Sequence, residues 1–212
     1  GFSDEIIEGV CPQEFTVMRT WTATDACMNS STCLQIVSVQ DTTPPSFNPN
    51  CMAELEFFTS EGSECPADAM VSLEVGDIVG EAEMWTVGGN TIPGLNGCLF
   101  DNCGNPDSLE ARVDSIIISG DSCLRIISIH FTILNDCDSL NVNLFTTVVS
   151  IIDDAPPVID CPEDMTIDCE ASSSPDVTGM ATATDNCQLV GITSSDVVIT
   201  GECPQEMTIN RT

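Results

Sequence analysis

The cysteines are the residues of this sequence whose number and spacing most clearly indicate chemistry. The 212 residues include 13 cysteines and a single histidine, His130. Structural zinc sites usually combine C-x2-4-C pairs, whereas the closest cysteines here are Cys98 with Cys103 and Cys27 with Cys33. The pattern therefore favours a disulfide framework in an oxidising, extracellular setting over a metal centre.

The acidic residues offer oxygen ligands to hard cations. The chain has 34 Asp and Glu against 4 Lys and Arg, a formal net charge of −30. Phosphate contacts need basic side chains, so we expect no nucleic acid and no anionic membrane surface as a partner. No apolar run approaches the ~20 residues of a membrane span, so we also expect no membrane insertion.

Calcium is the cofactor that these carboxylates could bind. A domain junction can collect carboxylates from two domains, and Ca²⁺ prefers several oxygen ligands. The alternative is that these aspartates cap turns and face solvent. The candidate calcium ligands are Asp25, Asp41, Asp153, Asp154 and Asp185.

Catalytic groups are hard to find in the sequence. A Ser-His-Asp triad would need His130, which lies in the middle of a predicted strand on its polar face. No carboxylate pair is singled out for glycoside hydrolysis. Trp21 and Trp85 are predicted to be core residues rather than part of a sugar cleft. We therefore predict that the protein is not an enzyme.

An internal repeat organises the chain. Residues 9–20 recur 192 positions later as residues 201–212, without a gap. Two further apolar runs end at matching double prolines, Pro44-Pro45 and Pro156-Pro157, which resist continuing a sheet and mark boundaries. We expect an excerpt of a longer polymer: the back part of one domain (1–43), a complete domain (44–154) and the front part of another (155–212).

The hydrophobic pattern predicts strands almost throughout. One run alternates strictly, which predicts a half-buried strand; its apolar face is Ile127, Ile129, Phe131 and Ile133, with Ser128, His130 and Thr132 opposite. In residues 15–24 the pattern places Phe15, Val17, Trp21 and Ala23 on one face. No apolar stripe of helical period is present, so the predicted fold class is all-β. Domains of the predicted lengths are the size of small β-sandwiches.

The ends of the chain resemble a known module. Residues 19–45 resemble the end of hyalin-repeat-like (HYR-like) domains, and residues 156–162 and 181–187 resemble the beginning of the same domain. The family is immunoglobulin-like, and its six-cysteine version is typical of very long surface adhesins of Bacteroidota, including gliding adhesins exported by type IX secretion. The resemblance implies tandem Ig-like β-sandwich domains stapled by disulfides. Met28 departs from it, because the family usually has glycine there.

Disulfide pairing is partly constrained by geometry. Cys123 and Cys137 bracket one predicted strand and lie too far apart to pair. Cys98 could pair with Cys103 across a turn-like loop, and we predict a bond between Cys187 and Cys203. The cysteines expected to pair within the chain are Cys51, Cys65, Cys98, Cys103, Cys123, Cys137, Cys187 and Cys203. Those expected to pair with flanking repeats are Cys11, Cys27, Cys33, Cys161 and Cys169.

Glycan attachment is a further expectation. Bacteroidota attach O-glycans at Asp-Ser/Thr followed by an apolar residue or Thr, and candidate sites are Thr42, Ser108, Ser115 and Ser139.

The resulting functional hypothesis is a repeat segment of a very long extracellular surface adhesin or fibre with a mechanical or adhesive role in attachment, gliding or prey capture. Its expected partners are neighbouring repeats of the same polypeptide and an unknown glycan or surface ligand. Two alternatives remain open. One is a self-assembling filament or sheath subunit that contacts identical chains, and the other is a carbohydrate-binding accessory module of a secreted enzyme.

Overall fold

The computed structural model describes residues 1–9, 11, 13–52, 54–80, 82–95, 97–103, 109–134, 143–202 and 206–212. The strands before residue 100 are β1 (Phe2–Glu8), β2 (Phe15–Thr24), β3 (Ser30–Val39), β4 (Ser46–Phe47), β5 (Leu55–Phe58), β6 (Ile78–Val79), β7 (Trp85–Val87), β8 (Asn90–Ile92) and β9 (Leu99–Phe100). The later strands are β10 (Glu110–Gly120), β11 (Leu124–Leu134), β12 (Asn143–Ile152), β13 (Val158–Asp160), β14 (Thr182–Thr184), β15 (Asp196–Thr200) and β16 (Met207–Arg211). Two short helices accompany them, the 3₁₀ helix η1 (Thr59–Glu61) and α1 (Pro175–Thr178).

A five-stranded sheet forms the centre of the fold. Its strand order is β5-β12-β11-β10-β6. Strands β6, β10, β11 and β12 pair antiparallel with one another in that order, and β5 pairs in parallel with the outer edge of β12. The connection from β10 to β11 is tight: Gly120 has φ 107°, and a Cβ at that position would collide with the carbonyl oxygen of Leu124. Only glycine fits that backbone conformation.

The core lies on one face of this sheet. The predicted apolar face of β11 is confirmed, because Ile127, Ile129, Phe131 and Ile133 are all at most 1% exposed. The residues of the buried cluster run from Met52 to Ile151. From Ile127 to Phe131 every second side chain of β11 is buried, since successive residues of a strand point to opposite faces. Thr132, which the sequence places on the polar face, is also buried, at 6% exposure.

A second layer covers the apolar face. Two small antiparallel pairs, β4-β9 and β7-β8, contribute Leu99, Trp85, Val87 and Ile92 to the same buried cluster. The prediction that Trp85 is a core residue is confirmed, since it is 3% exposed. Phe145 stacks on Phe47 with centroids 4.0 Å apart and on Phe131 at 4.7 Å. The prediction of an all-β, disulfide-stapled, Ig-like sandwich fold is confirmed.

The N-terminal strands form a separate three-stranded antiparallel sheet, β1-β2-β3. Both faces of this sheet are largely open to solvent. The expectation that Trp21 is a core residue is wrong for this structure: Trp21 is 41% exposed, and Phe2 beside it is 58% exposed. The alternation identified the apolar side of β2, but burial also requires a second layer, and no described layer buries this side.

The C-terminal residues contain two antiparallel pairs, β13-β14 and β15-β16. The β15-β16 pair reproduces β1-β2 in detail. Asp196 lies opposite Arg211 just as Asp4 lies opposite Arg19. The turn entry is also the same, because Gly201 N donates to Glu206 O at 2.7 Å and Gly9 N to Glu14 O at 2.8 Å. The sequence repeat is therefore also a structural repeat.

Candidate functional site

Disulfide chemistry provides the clearest site. Cys65, in the loop after η1, bonds Cys187, in the loop after β14, with Cα atoms 5.3 Å apart and a sequence separation of 122 positions. Such a Cα separation is ordinary for a disulfide. The bond joins the middle domain of the sequence analysis to the part that follows it. It is therefore a staple across the Pro156-Pro157 boundary.

Several predicted pairings are corrected by this arrangement. Cys187 does not bond Cys203, which lies outside the described residues, because Cys65 occupies its sulfur. Cys11 was expected to pair with a flanking repeat but is disulfide-bonded within the chain. The expectation assumed bonds within each domain, and spacing alone does not reveal which loops meet across a boundary.

Three further cysteines expected to pair within the chain, Cys51, Cys103 and Cys123, form no disulfide in this structure. The local pairing of Cys98 with Cys103 is therefore not formed. Burial and the nearby negative charges of Asp41 and Asp101 raise the pKa of the Cys103 thiol. Cys137 lies outside the described residues. The cysteines assigned to flanking repeats that carry no disulfide here are Cys27, Cys33, Cys161 and Cys169.

A recurring Asp-x-Cys motif, which the sequence analysis did not identify, positions several of these sulfurs. In each copy the cysteine amide donates to the Oδ1 of the aspartate two residues earlier, an Asx turn. The distances are 2.9 Å for Asp25–Cys27, 3.1 Å for Asp101–Cys103, 2.8 Å for Asp121–Cys123 and 2.9 Å for Asp185–Cys187. The signal was present in the sequence as a repeated tripeptide pattern.

The first of these turns, at Asp25, also contains Met28, which has an unusual backbone conformation. Both carboxylate oxygens of Asp25 accept hydrogen bonds from Asn29, one from its backbone amide at 2.8 Å and one from its side chain at 3.0 Å. These bonds lower the pKa of Asp25. Met28 adopts φ 71°, a conformation that favours glycine.

The candidate calcium ligands Asp153 and Asp154 are used by the fold itself. Thr59 Oγ1 donates to Asp153 Oδ1 at 2.8 Å. Asp154 accepts from the backbone amide of Ser60 at 3.0 Å and from the Ser60 hydroxyl at 2.7 Å. The two aspartates thus connect the end of β12 to helix η1, beside the parallel β5-β12 pairing. The hydrogen bonds from Ser60 lower the pKa of Asp154.

We predict a pH-dependent role for Asp154. Replacing Asp154 by alanine removes the acceptors of Ser60 and is expected to lower the melting midpoint at pH 7. The carboxyl pKa is lowered in the folded state, so its stabilisation is complete above the unfolded value of about 3.8 and is lost as pH falls through the folded value. Melting curves between pH 7 and pH 2 test this: the two proteins should converge in acid. A constant difference at every pH would contradict it.

Asp41 is the most enclosed of the candidate ligands, being 6% exposed. Its Oδ1 accepts the Thr43 amide at 2.9 Å, and its own amide donates to Glu14 Oε1 at 3.3 Å. Its Oδ2 has no hydrogen-bond partner among the described residues. The same side chain reaches Cys103 of the middle domain. Asp41 therefore lies at the contact between the N-terminal part and the middle domain.

No group of three or more His, Cys, Asp or Glu side chains within the described ranges is arranged to hold a metal ion. Calcium binding by the five aspartates stays a prediction. Of the glycan candidates, Thr42 is exposed and Ser115 is half-buried in β10. Ser108 and Ser139 lie outside the described residues.

His130 occupies the predicted polar face of β11. Its Nδ1 is hydrogen-bonded to Thr146 Oγ1 on the neighbouring strand β12 at 2.9 Å. This is a cross-strand contact of the kind that stabilises sheets.

Among the described residues, no helix has the length and apolar character needed to cross a membrane. No protein-family model matches the chain, and no curated protein matches it either.

Proposed function

We propose that this chain is a repeat segment of a very long extracellular surface adhesin, whose role is mechanical. The observation that carries the proposal is the structural repeat: hairpins 192 residues apart share their register and their Asp–Arg ion pair. Repeats of this kind build extended arrays in which each unit contacts its neighbours. The Cys65–Cys187 staple suits such an array, because it crosses a domain boundary where tension would separate the domains.

The composition supports the same proposal. A net charge of −30 makes the chain repel itself and resist non-specific collapse. Thirteen cysteines and a disulfide are typical of secreted proteins. Export by type IX secretion, a Bacteroidota source, glycan attachment and adhesion to a surface ligand are parts of this proposal that follow from the resemblance of the two chain ends to HYR-like domains.

The test is the shape of a longer chain. Polypeptides of one, two and four 192-residue periods would be expressed with oxidised disulfides and imaged by rotary shadowing or atomic force microscopy. The proposal expects single thin strands whose contour length grows linearly with the number of periods. Compact particles whose diameter grows with the cube root of mass would contradict it.

A filament subunit is the second candidate, because the open apolar sheet at the N-terminus favours contact with other chains. The same images distinguish the two functions. Ordered fibres containing many side-by-side chains, with a thickness independent of the number of periods in each chain, would favour the filament over the adhesin strand.

We predict that salt stabilises the protein and that calcium stabilises it further. Screening weakens repulsion among 34 acidic residues, so the melting midpoint should rise as NaCl is increased from 10 to 150 mM. Millimolar CaCl₂ should raise the midpoint beyond MgCl₂ at the same ionic strength, because Ca²⁺ tolerates irregular carboxylate sites better than Mg²⁺. Equal midpoints in the two salts, unchanged by a chelator, would reject a specific calcium site.

A further inference from the structure

The face of the β1-β2-β3 sheet that carries Asp4 and Arg19 is open, and we call it the Asp4–Arg19 face. Residues directly opposite in an antiparallel pair point to the same side. The pairing of Phe2 with Trp21, Asp4 with Arg19 and Ile6 with Val17 therefore defines this face. Phe2 is 58%, Ile6 64% and Trp21 41% exposed. An apolar sheet face of this kind is normally covered by a second layer.

The second copy of the hairpin shows which chain segment contacts the equivalent arginine, although Val198, the counterpart of Ile6, is still 55% exposed there. Arg211 holds Asp196 through Nε and one Nη, both at 2.7 Å. Its remaining hydrogen bonds go to the chain before the hairpin: Nη1 donates to Thr178 Oγ1 at 3.0 Å and Nη2 to Ser173 O at 2.9 Å. The end of helix α1 is thus fixed to the ion pair. A guanidinium with several fixed acceptors is a specific contact rather than a mobile surface charge.

In the first copy the same arginine lacks these partners. Arg19 holds Asp4 with the same two distances, 2.7 and 2.7 Å. Its guanidinium carbon also lies over two rings, 4.6 Å from the centroid of Phe2 and 5.6 Å from that of Trp21. Gln35 of β3 is its cross-strand partner. The Asp4–Arg19 face therefore presents the same ion pair without the chain segment that binds Arg211.

We infer that the Asp4–Arg19 face binds a second copy of residues 155–192, with the Thr178 hydroxyl and the Ser173 carbonyl of that copy on Arg19. We call residues 155–192 the front segment. The inference rests on the repeat organisation proposed above, not on adhesion. The front segment itself exposes apolar side chains that such docking can cover, among them Val158 at 71%, Met165 at 56% and Val177 at 55%.

Charge sets the conditions for this docking. Both surfaces are acidic, and Arg19 is the only cation in residues 1–43. The front segment has no Lys or Arg. The repulsion between them is screened by salt, whereas contacts to Arg19 are short-range. Docking should therefore strengthen as ionic strength rises, the opposite of an association driven by opposite net charges.

A fusion tests the inference without designing a linker. Because residues 193–212 align with residues 1–20 without a gap, a front segment placed directly before Gly1 continues the natural sequence pattern. The full 212-residue chain follows it unchanged. Two readouts report on the Asp4–Arg19 face: hydrogen exchange of the β1, β2 and β3 amides, and acrylamide quenching of tryptophan. Quenching reports mainly Trp21, because Trp85 is 3% exposed.

The expected result is at least tenfold slower exchange in β1–β3 and loss of the quenchable tryptophan fraction in the fusion. A fusion with a scrambled front segment of equal composition should behave like the 212-residue chain. Arg19→Gln should remove most of the added protection in the fusion, and Arg112→Gln, which alters an exposed arginine of β10, should remove none. Unchanged exchange and quenching in the correct fusion would overturn the inference. That failure would leave the contour-length test of the proposed function unaffected.

Discussion

Phe131→Ala is expected to lower the free energy of unfolding by about 3–5 kcal/mol, the usual cost of removing a fully buried phenylalanine. Phe131 is 1% exposed and stacks on Phe145 at 4.7 Å. Phe145 in turn stacks on Phe47 at 4.0 Å. The substitution therefore leaves a cavity and also removes an aromatic contact between the central strands. Urea denaturation followed by circular dichroism measures the loss.

The matched control is Phe100→Ala in β9, where the ring is 47% exposed. It removes the same atoms from a position that buries about half as much of the ring. The decrease in the free energy of unfolding should therefore be well below that caused by Phe131→Ala. Equal losses at the two positions would contradict the assignment of the core to the inner face of the five-stranded sheet. Circular dichroism of the folded variants shows whether each retains the β fold.

The sequence predicted the inner face of β11 because alternation is local information. Ile127, Ile129, Phe131 and Ile133 follow one another at every second position, and a strand with that pattern buries one side wherever a partner layer exists. Trp21 shows the limit of the same reasoning. Its strand and its apolar side were identified, but its exposure depends on whether another segment covers β2, which no local pattern encodes.

The junction aspartates show a second limit. The sequence places Asp154 beside a double proline, where both ion binding and turn capping are compatible with an aspartate. Its actual partners are Thr59 and Ser60, about 95 residues earlier in the chain. The parallel pairing of β5 with β12 brings them together. Long-range pairing of this kind fixes side-chain roles that spacing along the chain cannot determine.

The two copies of the hairpin carry information that neither copy holds alone. The hairpin β1-β2 continues into β3. Strand β3 pairs with β2 over ten residues, from Phe15 opposite Val39 to Thr24 opposite Ser30. β15-β16 is preceded by the segment that holds Arg211. Taken together, the contacts of the two copies describe one hairpin unit with both of its neighbours. We propose that this unit is the repeating domain of which residues 1–43 are a back part and residues 155–212 a front part.

The double variant Cys65→Ser/Cys187→Ser is expected to destabilise the C-terminal part strongly. Cross-linking residues 122 positions apart stabilises a fold by about 4–5 kcal/mol in the chain-entropy account. The described residues from 155 onward include no buried side chain. Packing there therefore contributes little, and the disulfide carries much of the attachment to the middle domain. Limited proteolysis should cleave residues 155–212 at least ten times faster in the variant.

The control is Cys123→Ser/Cys169→Ser, which alters two exposed cysteines that form no disulfide in this structure. Its proteolysis rate and melting midpoint should match the parent protein. Reductant added to the parent should speed cleavage of residues 155–212 at least as much as the Cys65/Cys187 substitution does, because it also opens the disulfide of Cys11. Peptide mapping of the oxidised parent should yield the Cys65 and Cys187 peptides as one cross-linked species. If they are recovered separately under non-reducing conditions, the boundary is not stapled, and tension along the array would be carried by the Pro156-Pro157 linker alone.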